Sequence, residues 1–116
     1  MATAVLFMGW NRPITGREND AWKFLMGEAQ ETLGKFQKQG FFERQEQIAL
    51  TPHCGTTNGM VLLFGDRAKL DELRRTDEFE RLSIQLMTLF DGYGVVPGLN
   101  AEGLARAFGR TKDLVK

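Results

Sequence analysis

The sequence predicts an α+β sandwich of element order βαββαβ, with helices on one face of an antiparallel four-stranded sheet. Three observations predict it. Short apolar runs alternate with stretches of helical periodicity. Two of the four runs, residues 5–10 and 60–64, are apolar on both faces, as the central strands of that topology would be. The other two are polar (41–51) or bounded by Gly and Pro (93–96), as its edge strands would be.

Residues 5–10 end at Asn11-Arg12-Pro13 and are too few for a helix, so they are read as a strand. Thr15-Gly16-Arg17-Glu18 has the spacing of a capping box, in which the Thr hydroxyl and Glu carboxylate satisfy the first free N–H groups of a helix. Trp22, Leu25, Met26, Ala29, Leu33 and Phe36 then share one helical face, which predicts a single helix closed by Gly40. Gly27 and Gly34 lie inside it and weaken it slightly, and Phe24 lies opposite the stripe with no core role. Residues 41–51 are the polar second strand. Residues 52–58 are a loop, and Asn58-Gly59 is a strong turn dipeptide, so this strand and 60–64 should form a hairpin.

Leu70 and Leu73 mark a short helix over 66–75. Thr76, followed by Asp77, Glu78 and Glu80, starts another, with Phe79, Leu82, Leu86, Leu89 and Phe90 as its core face. Asp91-Gly92 ends it, and residues 93–96 form the last strand, closed by Pro97. Residues 100–108 form an amphipathic helix through Leu104, Ala105 and Phe108. The chain, 1–116, is thus one domain with a core over 3–98 and a helical tail over 99–116.

Hydrophobic residues make up 42% of the chain, enough for a core without staples. The 15 basic and 15 acidic residues cancel, so the cationic footprint that nucleic acids select is missing and no nucleic-acid partner is expected. The first apolar run has no basic leader and meets Arg12 and Pro13 at once, which predicts neither a signal peptide nor a membrane span, and a cytoplasmic location. A single cysteine, Cys54, forms no internal disulfide, in keeping with a reducing compartment. One His and one Cys do not make a zinc site, and no Gly-rich phosphate loop is present, so neither metal nor cofactor is expected.

Helices cover one face of such a sheet, yet the central strands are apolar on both. Either the tail folds over the second face or a second copy of the sheet covers it. The homodimer is the more economical reading, since two-fold homo-oligomers are common and the tail is short.

The element order, the doubly apolar central strands and the broken helix Leu73-Arg74-Arg75-Thr76-Asp77-Glu78-Phe79-Glu80 resemble the dimeric α/β-barrel superfamily of ferredoxin-like fold. That group includes antibiotic-biosynthesis monooxygenase-like, muconolactone isomerase-like, EthD-like and YCII-like proteins, and many of unknown function. The resemblance spans about residues 3–100 as a pattern, with no diagnostic catalytic motif matched. It implies a fold, a face-to-face dimer and a pocket between sheet and helices, and it carries no chemistry residue by residue.

Candidate site residues follow from chemistry and placement. Trp10, Asn11 and Arg12 stand where the first strand leaves the sheet, and an aromatic beside an amide and a guanidinium could line a pocket for an aromatic or carboxylate ligand. The plainer reading puts Trp10 in the core and Arg12 in solvent. His53 is a candidate general base, against the alternative of a solvated loop histidine. It is poorly placed to activate its neighbour Cys54, because adjacent residues of an extended chain point to opposite sides. Tyr93 is a further candidate whose hydroxyl reaches either a cleft or water. Two functions stay open: a small-molecule binding or interaction module working as a dimer, or a cofactor-free monooxygenase, isomerase or lyase. In the second, His53 would abstract a proton and Asn11 or Arg12 would stabilise the resulting anion.

Overall fold

A computed structural model describes residues 2–114. Its elements in chain order are β1 (Ala4–Trp10), β2 (Arg12–Pro13), α1 (Glu18–Met26), α2 (Glu28–Lys38), β3 (Arg44–Ala49), β4 (Gly59–Gly65), α3 (Arg67–Arg74), α4 (Asp77–Leu89), β5 (Phe90–Asp91), β6 (Gly94–Leu99) and α5 (Ala101–Thr111), followed by a 3-10 turn over Lys112–Leu114. The main sheet runs β3-β4-β1-β6 with every neighbouring pair antiparallel. The two apolar runs are the central strands, and the polar and Pro-containing runs are the edges. β2 and β5 form a separate two-stranded ribbon that extends the exits of β1 and α4. The sheet of one chain is open and does not close into a barrel.

Side-chain alternation divides the sheet into two faces. Ala4, Leu6, Met8 and Trp10 of β1, with Val61 and Leu63 of β4, are buried on the inner face against Leu25, Ala29, Leu33, Phe36, Phe79, Leu82 and Leu86 of the helices. Val5, Phe7, Met60, Leu62 and Phe64 point the other way and are only partly covered. The register sets Arg44 of β3 beside Phe64, with its guanidinium carbon 3.9 Å from the ring centre, and Arg44 also pairs with Glu46 at 2.9 Å. Charge and cation–π contact thus guard that edge.

Several details depart from the sequence reading. The expected first helix is two helices, because Gly27 (φ −114°, ψ −94°) leaves the helical region between α1 and α2. Thr15 does not cap it; Glu18 instead accepts from the Gly16 N–H at 2.8 Å. The buried row is Ala21, Leu25, Ala29, Leu33 and Phe36, so Trp22 (47% exposed) and Met26 (71%) fall outside the stripe drawn for them, while Phe24 packs against the core. Gly40 does adopt the left-handed conformation of a helix stop, φ +88°. Asn58-Gly59 is not a tight turn, since Gly59 already belongs to β4 and does not have positive φ. Pro97 lies within β6 rather than closing it. Thr76 caps α4 as expected, accepting from the Phe79 N–H at 3.2 Å.

The tail helix presents a different face from the one expected. Gly103 is its buried residue, set so closely against the Thr3 carbonyl that a Cβ would collide with it. Leu104 and Phe108 are 63% and 60% exposed. Asn100 pins this helix by accepting from Gly103 N–H at 2.8 Å and donating to the Ala2 carbonyl at 2.7 Å. Among the described residues no helix is long and apolar enough to cross a membrane.

Candidate functional site

The end of the sheet nearest α1 holds a cavity of about 320 Å³. β1 and β2 bring Trp10, Asn11, Arg12 and Pro13 to it as one continuous stretch. The end of β3 and the loop after it bring Ala49, Leu50, Pro52, His53 and Asn58, and α1 brings Trp22. Four of the five candidate residues, Trp10, Asn11, Arg12 and His53, therefore line one space. The hairpin register makes this possible: Trp10 pairs with Gly59 and Ala49 with Gly59 from the other side, so the loop between β3 and β4 hangs over the end of β1.

Trp10 is both wall and core, with 6% of its surface exposed and its ring 5.3 Å from that of Phe90. Trp22, also in the lining, meets the same Phe90 edge-on with ring centres 5.9 Å apart. Gly59 lets the Trp10 indole lie flat on β4, since a Cβ there would fall 2.6 Å from Nε1. The Trp10 N–H has no hydrogen-bond partner among the described residues, and since no unpartnered side-chain nitrogen or oxygen is buried there, it keeps some access to solvent.

The polar groups have distinct roles. Asn58 donates from Nδ2 to Asn11 Oδ1 at 2.6 Å, and its backbone N–H donates to the Trp10 carbonyl at 2.9 Å, which ties the loop to the strand end. Asn11 keeps its own Nδ2 donors uncommitted among the described residues. Arg12 is exposed and forms no ion pair among them, although Asp91 is its partner in the β2–β5 ribbon. His53 is engaged at both ring nitrogens: Nδ1 accepts from the Gly55 N–H at 2.8 Å, and Nε2 lies 2.9 Å from the Thr57 carbonyl. With Nδ1 accepting, Nε2 is the nitrogen that donates to that carbonyl. The imidazole fastens its own loop and has no nitrogen free to take a substrate proton in this arrangement. Cys54 is exposed beside it.

Tyr93 does not line the cavity. It packs at the margin of the core, with its hydroxyl 3.1 Å from that of Ser83 on α4. Burial pushes the phenol up to about 12, with the Ser83 hydrogen bond pulling it slightly the other way. The spacing puts Trp22 on the core stripe, whereas in α1 Ala21 and Leu25 take the buried face and Trp22 stands exposed beside them as a cavity wall. Leu50 and Pro52 carry no chemical signal that would single them out.

No protein-family model and no curated protein sequence matches the chain. Solved structures do match. One is an EthD (ethyl tert-butyl ether) family protein from Bacillus halodurans, with TM-score 0.65 and 14% identity over 84% of this chain and 97% of that one. Another is a dimeric protein of unknown function and ferredoxin-like fold from Bacteroides fragilis, with TM-score 0.59 and 10% identity over 84% of this chain and 96% of that one. The fold is therefore that of the ferredoxin-like α+β proteins, and the expected resemblance holds at that level. The likeness establishes no specific function.

Proposed function

We propose that the protein is a small-molecule binding module that works as a homodimer, its ligand held between Trp10 and Trp22. One observation carries the reading: a mainly apolar cavity walled by two indoles, with the Trp10 N–H, the Asn11 amide and the Arg12 guanidinium as its uncommitted donors. Apolar walls with a few donors and one cation suit a flat aromatic body bearing a carboxylate. His53, fastened at both nitrogens, favours binding over proton abstraction. Calorimetric titration with indole-3-acetate and with its neutral analogue indole-3-acetamide tests this. The acid should bind and the amide should bind more weakly. Arg12→Ala should weaken the acid by about tenfold, roughly 1.4 kcal/mol, and leave the amide unchanged. Equal binding of both compounds, or of neither, overturns the reading.

The homodimer rests on the outer face. Val5, Phe7, Met60, Leu62 and Phe64, flanked by Ile48 and Val96, form a contiguous apolar surface across all four strands. Soluble monomers rarely tolerate such a patch. A second sheet packed on it would bury on the order of 800 Å² per partner and close the two open sheets into a barrel. Association of the Bacteroides fragilis neighbour as a dimer supports the reading. Sedimentation equilibrium at micromolar concentration should return twice the chain mass, and a monomer there overturns it.

A further inference from the structure

A second cleft, of about 260 Å³, lies at the other end of the sheet between α3 and α5. Its lining includes Arg67, the first residue of α3, and Arg106 and Arg110 of α5. None of the three forms a salt bridge among the described residues. The single carboxylate in the lining is Asp66, whose side chain does not cap α3, so the first N–H groups of that helix also stand without a side-chain partner.

The placement is built into the backbone. Gly103 against Thr3 and the two Asn100 hydrogen bonds fix the start of α5 on the strand end. Arg106 and Arg110 stand three and seven residues beyond Gly103, so they lie on its side of the helix and line the cleft, both exposed to solvent. The helix thus sets two exposed arginines along the cleft and leaves Leu104 and Phe108 on its outer side. Three cations that line one cleft without a carboxylate partner among the described residues draw an anion toward it.

We infer that this cleft binds a phosphate group through Arg67, Arg106 and Arg110, with the uncapped α3 N-terminus beside it. Guanidinium forks match phosphate oxygens two at a time, and a helix N-terminus adds favourable dipole and N–H groups. The phosphate belongs either to a small soluble ester or to a lipid headgroup; Leu104 and Phe108 on the outward side of α5 make the second source chemically reasonable.

The test is a two-dimensional NMR titration of the full chain with inorganic phosphate, against sodium chloride at matched ionic strength. Phosphate should shift the Gly103 and Arg67 amide resonances saturably, and chloride should not. The Arg106→Ala, Arg110→Ala double variant should lose that response at least tenfold. Arg81→Ala, on α4, and Arg12→Ala, at the other cavity, should keep it, which separates this site from the aromatic one. If the double variant fails to fold, Arg67→Gln should show the same loss. Flotation with phosphatidylcholine vesicles, with and without phosphatidic acid, identifies the source. Arginine-dependent capture by the acidic vesicles alone names the headgroup, and a response to free phosphate names a soluble ester. Neither response, an equal one to chloride, or full binding by the arginine variants overturns the proposal.

Discussion

On the inner face of the sheet Leu6, Met8, Val61 and Leu63 are sealed beneath helices, whereas on the outer face Val5, Phe7, Leu62 and Phe64 of the same strands remain partly open. Residue chemistry does not separate the two sets. Local propensity makes both into strand, and only what packs on them differs. A continuous apolar run therefore signals burial on both sides before it is known what supplies the second cover.

The largest effect should come from placing a charge on each face in turn. Leu63→Glu puts a carboxylate among helices with no partner, and should cost several kcal/mol and abolish cooperative folding. Leu62→Glu, one residue away, should leave the circular dichroism spectrum intact and shift sedimentation toward the single-chain mass. Equal damage from both would erase the distinction between the faces.

The tryptophans sharpen the same comparison. Spacing alone makes Trp22 the heavier contributor to stability, and burial makes it Trp10. Trp10→Ala should cost roughly 3–5 kcal/mol in urea unfolding, and Trp22→Ala clearly less. Capping gives a smaller contrast: Thr76→Ala should cost about 1 kcal/mol, while Thr15→Ala, at a helix start it does not cap, should leave the urea midpoint unchanged.

Tyr93 supplies the finest test, at the margin between core and surface. Its phenol is neutral in the folded state up to about 12, against 10.0 for the free group. The folded chain therefore holds a proton that the unfolded chain has already released as pH rises through that interval. Its contribution to stability is complete below pH 10 and is lost as pH climbs toward 12. Ultraviolet titration of this single tyrosine should show a phenolate midpoint well above 10. Tyr93→Phe should flatten the alkaline part of the stability profile.

The strand order was legible because apolar and polar runs differ in composition, and composition is a local property. Thr76 was legible because a cap involves neighbours only three residues apart. The path of the first helix was not, since aligning Trp22 and Met26 with Ala29, Leu33 and Phe36 presumes the continuous helix that Gly27 interrupts. Nor was the seating of α5, which is set by one close approach of Gly103 to Thr3, a contact across nearly the whole chain. The same division runs through the first cavity. Trp10, Asn11 and Arg12 are consecutive, so a strand end delivers them together. His53 arrives through hairpin register. Trp22 comes from α1, the next element of the chain, and no sequence signal placed it there. Tyr93 looked equally available, and its Ser83 partner holds it elsewhere.

Trp10 and Trp22, the two tryptophans of the chain, both contact Phe90 and wall one cavity. The intrinsic emission of the molecule consequently originates almost entirely at that place. Occupancy between the indoles should register as quenching or a spectral shift. Joining two sheets through the outer face, or filling the arginine cleft at the far end, should leave the emission nearly dark to the event. The protein carries a built-in optical label for one of its surfaces and is blind at the others, so a change in emission can be assigned to a location before any residue is altered.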